Sequence, residues 1–384
     1  MNISRKILIF LILSFVSLFA DMTYEGARSV GGAFLEYLEA PALFAGLLGL
    51  GELISYVARG ITGLIISNYR GSIFLWLTVI LGYILNLAVI PALVIAGSWQ
   101  IAFALLMFER VGKGLRTPSR DVILSEVTEE IGKGRAFGIH EFLDQIGAVT
   151  GPLIIAYFLS GHGGYSAGFK FLAIPASISI FLVLTAFILY PRLSSLEISM
   201  KIKIREIRGE LRDFIILFGL ITAAYVPWGI VSYHMVNTGV GSNVVALMYM
   251  IAMITDALAA ISIGFVYERA KLLIYIAVPP ASALATYLLI NNGGSIYQYA
   301  LGATLWGIVT GYFESAFRAT ISELSVQDYA GGFGAYAVAQ AIAFGIGSIF
   351  FAVLYSLHPF AAVIYSLAVN SGSAIMLYRM ISKH

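Results

Sequence analysis

"DMTYEGARS", residues 21–29, sits in the middle of an apolar run that reads as one helix from Ile7 to about Phe34. Its Asp21, Tyr24, Glu25 and Arg28 recur at i, i+3, i+4 and i+7, the spacing that puts side chains on one helix face. At ~1.5 Å per residue from Ile7, Asp21 stands ~21 Å along the helix, near the midplane of a ~30 Å hydrocarbon core. A charge at that depth costs at least about 2.5 kcal/mol unless it faces water, protein or a partner charge. The stretch therefore either forbids a membrane span or marks the polar face of a helix inside a bundle.

The surrounding chain decides between these. Of 384 residues, 59% are hydrophobic and only 11% charged, far from the quarter that is usual for soluble domains. Divided by the ~20 apolar residues that one helix needs to cross a bilayer, the chain holds about twelve crossings. The net charge of +2 is spread through short loops, so no nucleic-acid partner is implied. The absence of cysteine excludes disulfides, thiolate metal sites and cysteine nucleophiles. The first residues imitate a secretory signal, but no A-x-A site precedes Asp21 and the helical pattern continues beyond it. They are expected to form the first span.

Apolar runs and loop signals predict spans near 7–36, 41–67, 72–95, 98–120, 135–160, 169–190, 213–236, 244–266, 272–290, 296–320, 331–357 and 359–379. With the N-terminus inside, Arg5, Lys6, Arg70, Arg116, Arg120, Lys133, Arg135, Arg192, Arg269, Lys271, Arg379 and Lys383 all fall on the cytoplasmic side. This agrees with the positive-inside rule, with an even span number and with cytoplasmic termini in the cell membrane. Residues 191–212 carry Lys201, Arg205, Arg208 and Arg212 at helical spacing opposite Ile198, Ile202, Ile207 and Leu211. They read as an amphipathic cytoplasmic linker between a six-helix bundle at 1–190 and another at 213–384.

An internal repeat supports this division. "FGIHEFLDQIGAVTGP" (137–152) aligns with "FGAYAVAQAIAFGIGS" (333–348) so that Phe137 meets Phe333, Asp144 meets Gln340 and Gly151 meets Gly347. One residue off that register, Ser125-Glu126 meets Ser322-Glu323. The stretches 72–97, 171–190, 272–290 and 360–378, which make up spans three, six, nine and twelve but for their edges, contain no Asp, Glu, Lys or Arg. The intramembrane charges fall in the others: Asp21, Glu25 and Arg28 in the first, Glu52 and Arg59 in the second, and Glu109, Arg110 and Lys113 in the fourth. Glu141 and Asp144 are in the fifth, Asp256 in the eighth, and Glu314 and Arg318 in the tenth. This three-helix rhythm is what a bundle around a wet cavity needs, and structural ion pairs are the other reading for each residue.

Three motifs carry a family resemblance. "RVGKG" (110–114), "GAVTGP" (147–152) and "GFVYERAK" (264–271), with the twelve spans, the central linker and the parallel halves, resemble the major facilitator superfamily over essentially the whole chain. The first is similar to the family's fourth-helix motif, whose Arg is associated with proton coupling. The second is similar to its fifth-helix antiporter motif, without the later glycines. The third is similar to its cytoplasmic gating motif, which implies gating by Gly264, Glu268 and Arg269. "GLIISNYR" (63–70) is a degraded first-half copy of it, with Ser67 and Asn68 at the acid and Arg positions.

The resemblance implies an all-α membrane fold in which helices one, four, seven and ten line a central cavity, and transport by alternating access. A carboxylate facing water ionises, whereas in a dry cavity it keeps its proton until a nearby cation takes its charge. Asp21 or Glu25 is the expected proton site, with Arg28 or Arg110 competing for it and Glu314 and Asp144 next. Tyr24, Arg28, Glu109, Arg110, Lys113, Tyr225, Trp228, Ser232, Trp306 and Arg318 are the substrate and cavity candidates; these include an aromatic surface suited to an amphipathic or cationic compound. Gly147, Gly151 and Pro152, with Pro227 and Gly229, are expected bending points.

The preferred expectation is a monomeric, proton-coupled exporter of a hydrophobic or amphipathic small molecule. It would work in the lipid bilayer, with the proton gradient as energy source and no cofactor, metal or catalytic residue. A symporter or uniporter of a polar or anionic metabolite is the alternative. A lipid-modifying enzyme is the rival class: "DMTYEGAR" resembles the start of the CDP-alcohol phosphotransferase motif, but Tyr24 replaces its second Asp.

Overall fold

The computed structural model describes residues 4–68, 71–128, 132–193, 209–326 and 328–382. Most of the 191–212 linker, with Lys201, Arg205 and Arg208, lies outside the described residues, as do Arg70 and Lys383, and the side chains of Ser67, Asn68, Lys133 and Phe137. The described residues form helices and their connections, with no strand among them. Among the described residues nine stretches are long and apolar enough to cross a membrane, and one of them, Ser242–Ile290, has the length of two. Trp99–Val127 and Ile296–Glu314 are as long as a crossing but more polar. The described residues form an all-α integral membrane fold that is compatible with the twelve crossings predicted by the apolar periodicity.

The first half runs through α1 (Arg5–Ser29), α2 (Gly31–Tyr37), α3 (Ala42–Leu47), α4 (Leu50–Asn68), α5 (Ser72–Ala92), α6 (Trp99–Val127), α7 (Lys133–Leu159), α8 (Gly164–Phe171) and α9 (Ala173–Leu189). The second runs through α10 (Glu210–Ala223), α11 (Trp228–Asn237), α12 (Ser242–Ala270), α13 (Val278–Ile290), α14 (Ile296–Glu314), α15 (Ala316–Leu324), α16 (Tyr329–Leu357) and α17 (Pro359–Ile381). By packing, the chain divides into one unit of Met1–Ser29 with Ile54–Lys201 and a second of Val30–Leu53 with Ile202–His384. The far ends of the first two crossings therefore belong with the second unit, because α2 packs on α11 and α3 on α16.

Several crossings are divided, among them the seventh and the tenth. In the seventh, Pro227 (φ −65°, ψ 132°) caps α11, where its missing N–H costs nothing. In the tenth, Ser315 (φ −111°, ψ −83°) separates α14 from α15. Pro152 is accommodated inside a continuous α7.

Water-driven burial cannot hold helices together in lipid, so close approach at small residues does. In the first unit α1 packs most extensively on α7. A Cβ on Gly147 would lie 3.0 Å from Asp21 Cβ, and one on Gly151 2.8 Å from Gly26 N. On the other side of α1, Ile9, Leu13, Val16 and Ala20 share a core with Trp76, Val79, Tyr83 and Leu87 of α5. In the second unit, a Cβ on Gly311 would meet Ala260 N at 2.8 Å, and one on Gly347 would meet Ala223 Cα at 2.8 Å. Gly151 of α7 against α1 and Gly347 of α16 against α10 thus play matching parts, in keeping with their alignment in the repeat. One further pair agrees. Ser179 of α9 donates to Val16 O (2.9 Å) and Ser366 of α17 to Ala224 O (2.9 Å). Glu126 and Glu323 each accept from a tyrosine, Tyr190 (2.7 Å) and Tyr267 (2.9 Å), in crossings that the repeat does not match.

The charge-free helices α5, α9 and α13, and α17, whose single charge is Arg379 in its last turn, turn Leu77, Leu81, Phe181, Ile188, Leu284, Ile364 and Leu367 outward. That is the surface lipid requires, since their backbone polar groups are satisfied within each helix.

Candidate functional site

The strongest concentration of buried charge lies in the first unit, where α1, α6 and α7 meet. Tyr24 is its hub, 5% exposed. Its hydroxyl donates to Asp21 Oδ1 at 2.5 Å, one turn back on α1, and accepts from Lys113 Nζ of α6 at 3.4 Å. Three cations surround its ring: Lys113 Nζ at 4.4 Å from the centroid, Arg28 at 5.8 Å and Arg116 at 5.9 Å. Cations are drawn to an aromatic face, more strongly where water is excluded. The positive charges acting on the Asp21 carboxylate are those of Lys113 and Arg116.

Arg116 is 1% exposed and stacks 4.3 Å from the Tyr83 centroid, its backbone pressed on Gly82. Among the described residues its Nε and Nη1 have no hydrogen-bond partner. A buried N–H without a partner is costly, so this cation is held ready for an acceptor.

The other candidates divide. Glu25 pairs with Arg28 at 2.9 Å, on the same face of α1 as Asp21. Glu109 pairs with Arg110 at 2.9 Å and accepts from Asn86 Nδ2 at 2.7 Å. That pair occupies the α5/α6 contact, where Gly112 meets Asn86 N. The structure therefore brings Lys113 and Arg116 to Asp21 and gives Arg110 to Glu109. Asp144 lies on α7, with its carboxylate 3.7 Å from His140 Nε2 and within the field of Asp21.

In the second unit, Tyr225 stacks on Trp306 at 4.9 Å, and Trp228 meets Trp306 edge-on at 5.3 Å and Tyr249 at 4.9 Å. Their polar atoms are occupied. Trp306 Nε1 donates to Val226 O at 3.0 Å, and the Tyr225 hydroxyl donates to Trp306 O at 3.0 Å and meets Thr310 Oγ1 at 2.5 Å. The first of these satisfies a carbonyl freed where the seventh crossing breaks. Trp306→Phe is accordingly expected to lower stability by about 1–2 kcal/mol, the cost of a buried carbonyl left without its donor. Thermal unfolding of the detergent-solubilised protein checks this.

Ser232 is fully buried and donates to Gly229 O at 3.1 Å, at the contact of α11 with Gly32 of α2. Glu314 is half-buried near Tyr225, and Arg318 is exposed on α15. At the turn after α12, Glu268 and Arg269 are exposed and Gly264 lies under Ser315. There Lys271 Nζ bonds Glu323 at 2.5 Å, and this ammonium holds the Glu323 carboxyl below its ordinary range.

Sequence reading missed Asn86, Tyr83, Ser14 and Ser17. Asn86 and Tyr83 belong to a helix set aside as charge-free, and the two serines are common small residues of an apolar helix. No group of three or more His, Cys, Asp or Glu residues with metal-binding geometry occurs among the described residues.

The fold and this buried charge define a polytopic transporter of small solutes. The sequence profile of the Major Facilitator Superfamily matches residues 10–348, and the chain belongs to that family. The uncharacterized protein Rv2265 of Mycobacterium tuberculosis is 30% identical over 374 residues, covering 94% of this chain and 90% of that one. The uncharacterized MFS-type transporter MJ1317 of Methanocaldococcus jannaschii is 26% identical over 333 residues, covering 83% and 80%. Among solved structures, the nucleoside transporter NupG superposes with a TM-score of 0.73 at 12% identity, covering 100% of this chain and 99% of the other. A POT family transporter in complex with 5-aminolevulinic acid superposes with a TM-score of 0.70 at 14% identity, covering 97% and 95%. At such identities the likeness concerns the fold.

Proposed function

We propose that this secondary transporter is driven by protons through Asp21, and that it exports a hydrophobic or amphipathic small molecule in exchange for them. The observation that carries this reading is the Asp21–Tyr24–Lys113 chain, with Arg116 alongside. When Asp21 is ionised, Lys113 and Arg116 compensate it; when it takes a proton, those two cations are released to other partners. A change of protonation then becomes a change of contacts between α1 and α6, which is the differential interaction that any coupled conformational change needs. The α7 motif favours antiport by family resemblance. The 191–212 linker acts as a tether between the six-helix halves, and the protein works as a monomer with both termini cytoplasmic.

A second reading rests on Arg116. Its two N–H groups without partners among the described residues suit a carboxylate or phosphate, which favours symport of an anionic metabolite.

Proteoliposomes with an imposed pH gradient separate the two. Ethidium and tetraphenylphosphonium serve as permanently charged amphipathic probes, and a dipeptide and a nucleoside monophosphate, which carry a carboxylate and a phosphate, as polar ones. Antiport accumulates an amphipathic probe in acid-inside vesicles, and a protonophore abolishes it. Symport accumulates a polar probe when the outside is acid. A probe carried at equal rates with and without the gradient contradicts proton coupling.

A further inference from the structure

A second set of buried polar groups lies along the α1/α7 seam, one to two turns from Asp21 toward the start of α1. His140 of α7 is 5% exposed. Its Nδ1 is 3.3 Å from Ser14 Oγ and its Nε2 3.3 Å from Ser17 Oγ, both on α1 and both buried. Asp144, one turn on along α7, has Oδ2 at 3.7 Å from the same Nε2, and Ser17 also lies against its carboxylate. Its Oδ1 has no hydrogen-bond partner among the described residues. Three residues further along α7, Gly147 brings the backbone against Asp21 itself.

The seam therefore presents His140, Ser17, Asp144 and Asp21 in sequence. At its outer end are exposed groups: Glu141 beside His140, and Asp121 paired with Arg120 at 2.8 Å on α6. The charges facing His140 are Arg120, Asp121 and Arg116 from α6 and Asp144 from α7. α1 contributes the serines near it and Asp21 beyond, and α9, which also packs on α1, carries no charged residue.

A structural histidine needs one bond per nitrogen and no acid. Here both nitrogens are engaged by serines, and an acid with a spare oxygen stands at the nitrogen facing Asp21. We propose that His140 and Asp144 form the proton-conducting entry to Asp21. The inference rests on the proton-coupled reading above.

The steps balance. With Nε2–H directed at Ser17 and Asp144, the imidazole takes a proton at Nδ1 from the exposed end through the Ser14 hydroxyl and becomes imidazolium. It passes the Nε2 proton to the Asp144 carboxylate, directly or through the Ser17 hydroxyl, and a flip of the neutral ring restores the starting arrangement. Asp144, now neutral, gives the proton to the Asp21 carboxylate and is ionised again. One proton enters and one negative charge is neutralised, at Asp21.

The test needs no substrate. Purified protein in liposomes on a solid-supported membrane is subjected to rapid pH jumps, and the transient charge movement is recorded. The wild type is expected to show a transient that Asp21→Asn removes. His140→Gln, which keeps hydrogen-bonding capacity toward both serines, is expected to preserve the displaced charge but slow its rise about 100-fold, the scale of a lost proton carrier. It should also abolish the pH dependence of the rate, which a merely structural histidine would leave in place. Asp144→Asn should slow the transient similarly. If His140→Gln and Asp144→Asn leave the rate unchanged while Asp21→Asn abolishes the charge, the relay is wrong and the coupling site stands. If Asp21→Asn leaves the charge unchanged, the coupling site falls, and the relay that feeds it with it.

Discussion

Replacing Asp21 with asparagine is expected to reduce gradient-driven transport to the level of protein-free vesicles while leaving exchange of probe across the bilayer in operation. Asparagine fills the same space and still accepts from the Tyr24 hydroxyl, which bonds Asp21 Oδ1 in the wild type. What it lacks is the second protonation state. Lys113 and Arg116, whose charges act on Asp21, then face a permanently neutral group. Their contacts no longer depend on pH, and a gradient has nothing to act on. Counterflow of a transported probe, with equal pH on both sides, measures the exchange that should survive. Loss of both activities would assign Asp21 to substrate binding or to the fold.

The second large effect is structural. Gly151→Leu is expected to prevent assembly of the first unit, because Gly151 lies against the Met22 carbonyl and within 2.8 Å, measured from a built Cβ, of Gly26 N. No rotamer relieves a clash between a Cβ and a neighbouring backbone. α1 and α7 would have to separate, disturbing Asp21 and Asp144 together. Overpacking costs about 1–3 kcal/mol where side chains can give way, and more where only backbone can. Monodispersity on size-exclusion chromatography and the midpoint of thermal unfolding report this, with Gly138→Leu as control, since nothing lies within 4 Å of a Cβ at Gly138.

Much of this architecture is legible in the sequence because lipid imposes a simple rule: long apolar runs become helices, and charges inside them must face protein. The twelve spans, the charge-free rhythm and the repeat all follow from it. Pro227 announces the break in the seventh crossing. The break at Ser315 has no such signal, because Glu314, Ser315 and Ala316 are all acceptable in a helix interior. The shared face of Asp21, Tyr24 and Glu25 is legible from spacing alone.

What spacing cannot give is helix rotation. Arg110 and Lys113 differ by less than one turn, yet one turns to Glu109 and the other to Tyr24. Neutral residues are a second blind spot. Asn86 and Tyr83 sit in an apolar helix, and only packing reveals that they hold Glu109 and Arg116. Gly147 and Gly151 show a third. A small residue in a membrane helix reads equally as a bending point or as a close contact, and here each lies in a close contact with α1.

Under the proposed coupling, Asp21 takes up and releases a proton inside the first unit. Infrared difference spectra of the protein in lipid, recorded between acid and neutral pH, observe the carboxylic acid directly through its C=O stretch. A protonated-carboxyl band that disappears in Asp21→Asn and persists in Glu25→Gln is the predicted result. A band unchanged in Asp21→Asn would contradict it.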